Sequence, residues 1–165
     1  MANLSVNIYN VRTPEGMKDY VTFLPYEYVF ANGLVPEAII GQLLRPLQPG
    51  EQISPAIFAR NRIFVDFMHS VITRHAPNSD DFIAEARHQQ DGYVYIIDQR
   101  TKTPQGTVPP EDIVGRFSVK DGVCVAASYE QNQAHKILSD TGFFQLGMEL
   151  QACLLDELMK LRKMV

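Results

Sequence analysis

The stretch IVGRFSVKDGVCVAASY, residues 113–129, sets two β-branched and aromatic runs on either side of Asp121-Gly122. That dipeptide suits a two-residue hairpin turn, whose central residues both take positive φ. The turn opposes Lys120 to Val123 and Val119 to Cys124, which puts Gly115, Phe117, Val119, Cys124 and Ala126 on one face. Cys124 is therefore expected to be buried. Immediately upstream, 93–97 (YVYII) has the composition of another strand, so three strands follow one another as an antiparallel meander.

On the N-terminal side of the meander the signals are mainly helical. Ser54 and Pro55 mark a helix start, and no further Gly or Pro occurs until Pro77. A long helix over 54–75 is predicted, with Ile57, Phe58, Phe64, Val65, Phe67, Met68, Val71 and Ile72 wrapping more than one stripe, as a central helix requires. Ser79 followed by Asp80 and Asp81 starts a shorter helix to about His88, with a side-chain cap and two carboxylates at its positive end. Pro36 opens a helix before it, with Ile39, Ile40, Leu43 and Leu44 on one side and Pro46 as its stop. Residues 4–9 alternate as a half-buried strand ending near Thr13 and Pro14. Tyr20, Phe23, Tyr26, Tyr28 and Phe30 crowd around Pro25, which disfavours one uninterrupted helix or a central strand there.

Read together, these signals predict an α+β fold: an antiparallel β-meander packed on a long central helix, with a helix-rich N-terminal half and a C-terminal helix. The chain has 165 residues and neither an internal repeat nor a Gly/Ser linker, so one domain over 1–165 is expected. The final helix spans roughly 146–164. Leu150, Leu154, Leu158, Leu161 and Val165 form one apolar stripe, and Met148, Ala152, Leu155 and Met159 form another. The pair covers roughly 200° of the circumference, wider than one core contact needs. Either the helix is wedged between two layers of its own domain, or the second stripe meets another chain.

Composition narrows the function classes. Fifteen basic against nineteen acidic residues leave a net charge of −4 with no basic tract, which removes the main driving term for nucleic acid. No apolar run approaches the ~20 residues of a membrane helix, and the opening MANLSVNIYNVRTPEG lacks a signal-peptide pattern. Neither nucleic acid nor a membrane is an expected partner. Two cysteines, Cys124 and Cys153, lack metal or redox spacing, so no metal or cofactor is expected and a cytoplasmic, reducing location is the natural reading. The hydrolase elbow, phosphate loop, dinucleotide and zinc-peptidase motifs are absent.

Four residues carry what chemistry the chain offers. Asp66 and His69 lie three apart on the expected long helix, where a carboxylate can orient an imidazole as a general base, although Arg62 offers Asp66 an ordinary ion pair. Arg100, with Lys102, sits in the polar 99–112 loop and suits an anionic group; His135 lies in the 130–145 segment beside the sheet end. Asp66, His69, Arg100 and His135 are thus the ligand-binding candidates. The interface candidates are Met148, Ala152, Leu155 and Met159 on the last helix, with Tyr26 and Tyr28 from the aromatic segment. The leading expectation is a non-enzymatic cytoplasmic interaction or regulatory domain that forms a homodimer. The alternative is a small-molecule binder or small enzyme with a cavity between sheet and long helix.

Overall fold

The computed structural model describes residues 5–101 and 107–161. It is an α+β arrangement of short helices and antiparallel strands. Strands β1 (Asn7–Thr13) and β2 (Gly16–Thr22) form a hairpin in which Thr13 faces Gly16, so Pro14 and Glu15 make the turn and Gly16 leaves it with φ 113°. A short helix α1 (Tyr26–Asn32) follows. Strands β3 (Gly41–Leu43) and β4 (Phe58–Arg60) complete a sheet in the order β1-β2-β3-β4.

The N-terminal part is therefore dominated by sheet, with α1 as the one short α-helix among the described residues before residue 62, and is not the helix-rich half that local propensity predicts. Pro36 opens only one 3₁₀ turn, Pro36–Ala38, after which the backbone extends and Gly41 pairs with Val21 on one side and Arg60 on the other. Glycine is required there: a Cβ on Gly41 would run into the Ala59 carbonyl and the Phe58 ring. Pro55 likewise opens a single turn, Pro55–Ile57, and Phe58–Arg60 leaves as strand.

The long helix of 54–75 is consequently shortened to α2 (Arg62–His75). Its cap is Asn61 and not Ser54. The Asn61 side chain accepts from Ile63 N at 3.2 Å and donates to the Pro36 and Ile39 carbonyls at 2.9 and 2.8 Å. One residue thus ends β4, caps α2 and ties both to the 36–39 turn. A cap with tertiary partners outcompetes one without them.

The remaining elements follow the sequence more closely. Helix α3 (Asp80–Gln89) is capped by Ser79, whose Oγ accepts from Phe82 N. Strands β5 (Gly92–Ile97), β6 (Ile113–Lys120) and β7 (Val123–Cys124) form the second sheet, with Lys120 opposite Val123 and Val119 opposite Cys124. The returning strand stops early, however. Ala127 takes φ 58°, and pairing resumes only at β8 (Glu130–Gln131), which lies against Gly115 and Arg116. After a last bond from Val125 N to the Ser118 carbonyl, the intervening 126–129 bulges away, so Ala126 is exposed and Cys124 only half-buried, while Tyr129 swings back over the sheet. Strands β9 (Leu138–Ser139) and β10 (Gly142–Phe143) make a small hairpin, and α4 (Met148–Lys160) closes the described chain.

Both halves share one apolar cluster, in which Phe23, Phe64 and Phe144 meet with ring centroids 5.5–6.2 Å apart. Helix α2 contributes Phe64, Val65, Met68, Val71 and Ile72 to it, and α4 contributes Leu150, Leu154 and Leu158. Leu150, Leu154 and Leu158 of the expected stripe are buried as its periodicity predicts, but α4 runs from Met148 to Lys160 and not over 146–164, so Leu161 falls just past it as the extended C-cap and is half-buried; Val165 lies outside the described residues. Among the described residues no helix is long and apolar enough to cross a membrane.

Candidate functional site

The polar residues of the fold gather where β5 ends. Strand β5 delivers Asp98 just past Ile97, and a following turn places Arg100 beneath the β9–β10 hairpin. Asp98 is fully buried, and Arg100, Asp112, His135 and Ser139 are nearly so. Such groups fold inside only when paired.

The pairing is extensive. The Asp98 carboxylate accepts from Arg100 N at 3.1 Å and Gln145 N at 2.9 Å, and it lies 2.9 Å from both the Arg100 guanidinium and His135 Nε2. Because an ionised carboxylate only accepts, His135 Nε2 carries the hydrogen of that bond. The Arg100 fork then donates to Ser139 Oγ and the Gly142 carbonyl on one side and to the Lys136 and Glu111 carbonyls on the other. Asp112 Oδ1 is 3.3 Å from the guanidinium without making a hydrogen bond to it, so that contact is purely electrostatic. Its Oδ2 takes the Thr101 hydroxyl at 2.6 Å. Arg100 is therefore a clasp joining β5, the turn before β6 and the β9–β10 hairpin. Both terminal nitrogens of its guanidinium are engaged inside the protein, and Nε is buried without a partner, so the group faces the clasp and not the solvent; Lys102 lies outside the described residues.

His69 and Tyr129 form a second polar contact. His69 points inward from α2, and its Nδ1 lies 2.7 Å from the Tyr129 hydroxyl. Burial, with the nearby His135 adding to it and Asp66 opposing, lowers the His69 pKa to about 4. Burial raises that of Tyr129. The imidazole is thus neutral and accepts, and the phenol donates. Asp66, three residues earlier, does not orient this ring. It turns outward, mostly exposed, 3.6 Å from Arg62.

The structure therefore brings Arg100 and His135 together through Asp98. It places His69, His135 and Asp66 around one crevice between α2 and the segment after β8. The space there is about 10 Å³, on the order of what a single water needs. Asp98, Asp112 and Tyr129 stand at no sequence spacing that marks them as members of a site. Asp98 carried a signal, as a carboxylate directly ending the apolar strand YVYII. Tyr129 carried none, because the three-residue register change that turns it inward is invisible before the fold is known. Among the described residues no group of three or more His, Cys, Asp or Glu is placed to hold a metal ion.

Gly115 makes the Tyr129 seat possible, since a Cβ there would strike the phenol ring and hydroxyl. Gly115→Ala is expected to displace Tyr129 from His69 and lower stability by about 1–3 kcal/mol, read as an earlier urea midpoint with an unchanged slope. Wild-type stability in this variant would show that Tyr129 has another equally good seat.

The larger concavities lie on the surface. A groove of about 590 Å³ runs beside β5, between it, the length of α3 and the start of α4, with Tyr93, Tyr95 and Met148 in its wall. A second hollow of about 330 Å³ shares Tyr95 and extends to Arg116 and Glu130. Arg116 stacks over the Tyr93 ring, 4.0 Å from its centroid. Of the interface candidates, Leu155 and Met159 are half-buried against the molecule's own core, while Ala152 and Met148 are exposed. The Tyr28 hydroxyl donates to the Met159 carbonyl at 2.6 Å and so holds α1 to α4. Tyr26 packs against Tyr9 with its outer side open.

No family model, no curated protein and no solved structure matches the chain.

Proposed function

We propose that the chain is a non-enzymatic interaction or regulatory domain whose partner is received on the open side of the second sheet. The observation that carries this reading is Tyr95, 46% exposed between the two hollows, with Tyr93 at 38% and Met148 at 74% on the walls of the larger one. Large rings with a polar tip, gathered at a concave surface, are what binding surfaces use as anchors. The chemistry-bearing groups lie elsewhere: Arg100 and His135 are both paired to Asp98, and the crevice beside His69 and His135 has about the space of one water.

Self-association belongs to the same proposal, through a different face. Tyr26 and Phe30 lie four apart on α1, 48% and 83% exposed, on a helix that buries no residue completely. A second copy seated there would cover apolar surface that the monomer leaves in water.

The test places a photo-crosslinking residue at Tyr95, and at Glu15 on the exposed β1–β2 turn as control, in cells that make the protein. Discrete protein adducts at Tyr95 and none at Glu15 are expected. The same adduct pattern at both positions would overturn the reading. For the homodimer, native mass spectrometry is expected to give a dimer that Phe30→Asp converts to monomer; a monomeric wild-type chain at micromolar concentration would remove that part.

A further inference from the structure

We infer that the free edge of β5 is a docking strand for an extended, basic segment of a partner protein, which joins the second sheet by main-chain hydrogen bonds. The inference rests on the interaction-domain reading and names the partner chemistry for that groove.

The phase of the hairpin decides which main-chain groups are free. Lys120 and Val123 close the two-residue turn and are a hydrogen-bonded pair. Two residues on, Val125 N donates to the Ser118 carbonyl at 2.9 Å, in the same phase. Alternation then turns the main-chain groups of Val119, Phe117 and Gly115 toward β5, opposite Gly92, Val94 and Ile96. The N–H and C=O of Tyr93 and Tyr95 consequently point away from β6. Strand β5 ends the sheet order β5-β6-β7, and no described residue bonds those four groups.

The edge is also unguarded. Gly92–Ile97 contains no charge and no proline, the usual devices that keep strand edges from pairing. The groove follows this edge: every residue from Tyr93 to Gln99 contributes to its wall, which both faces of a strand can do only along an open side. Strand addition needs that geometry, with main-chain bonds for affinity and alternate side chains for selectivity.

Charge selects the occupant. Asp81 and Glu85 on α3 and Glu149 on α4 line the opposite wall, and no Lys or Arg lines the groove among the described residues. A second copy of β5 would bring the same carboxylates against these, a like-charge pairing that costs affinity. An extended segment alternating Lys or Arg with apolar residues sets cations against Asp81, Glu85 and Glu149 and apolar groups beside Tyr93 and Tyr95.

The probe is a heptapeptide of alternating lysine and valine, titrated into the full chain and followed by amide hydrogen exchange. Micromolar binding is expected, with exchange at the Tyr93 and Tyr95 amides slowed by about tenfold or more. N-methylation of the peptide on the side meeting β5, or Glu85→Gln with Glu149→Gln in the protein, is expected to weaken binding by about tenfold. Three results would each overturn the inference: no binding, binding that leaves the Tyr93 and Tyr95 amides unprotected, or equal binding of the glutamate–valine counterpart. If adducts at Tyr95 persist under any of these, the interaction reading stands and strand addition alone fails; if they are absent, the interaction reading itself fails.

Discussion

Replacing Arg100 by alanine is expected to lower the unfolding free energy by about 3–5 kcal/mol, the loss that follows when one member of a buried ion pair is removed. The reason lies in what remains. Asp98 is fully buried and keeps only His135 and two main-chain amides; Asp112 keeps only the Thr101 hydroxyl. The carbonyls of Gly142 and Lys136 also lose a donor. Urea unfolding measures the effect as a shifted midpoint. Arg100→Lys is expected to recover only part of it, because an ammonium cannot span the Ser139 and Gly142 side and the Glu111 and Lys136 side at once. A loss below about 1 kcal/mol in Arg100→Ala would mean that the cluster is hydrated and the clasp dispensable.

The second large effect is a fall in stability as the solution is acidified from about pH 6.5 to about pH 4. His69 titrates at about 4 in the folded protein and near 6.5 when unfolded. Between those values the unfolded chain binds the extra proton, so stability rises with pH across the window and is lost on going down through it. The full difference is on the order of 3 kcal/mol. His69→Gln keeps an acceptor for the Tyr129 hydroxyl and removes the titration, so its stability is expected to vary less over this range than the wild type's. The carboxylate of Glu51, held down to about 2 by Arg45 in the folded chain, begins to cost stability only near the acid end of the window, where the unfolded carboxylate takes up its proton, and as it is present in both chains it cancels when the two profiles are subtracted. Parallel pH profiles for wild type and His69→Gln would show that burial of His69 has no energetic consequence.

Both effects fall on residues that the sequence singles out as ligand-binding candidates. Arg100, His69 and His135 are special because the interior has to accommodate them: His69 Nδ1 is bonded to Tyr129, His135 Nε2 to Asp98, and both terminal nitrogens of Arg100 to acceptors inside the fold. A polar residue in a loop reads the same whether it faces solvent or is folded under a hairpin. Only partners such as Ser139 and Gly142, 39 and 42 residues away, separate the two cases. The same holds for α4. Its apolar circumference is wide because Leu155 and Met159 lean on the core that Leu154 and Leu158 enter, while Met148 and Ala152 alone stay open.

What the sequence determined by itself is the part governed by chemistry within a few residues. Asp121-Gly122 supplies the positive φ a tight turn needs and so sets the β6–β7 register; Ser79 reaches an amide three residues on and starts α3; the spacing of Leu150, Leu154 and Leu158 selects the buried side of α4. The tertiary structure decided the rest. Residues 36–61 have local start signals for two helices, yet they form β3 and β4 because Gly41 fits between Val21 and Arg60 and Asn61 caps α2 from a seat built by Pro36 and Ile39. Helix propensity is worth fractions of a kcal/mol per residue, and ladder bonds, buried rings and a cap shared by three segments outweigh it once distant parts of the chain have met.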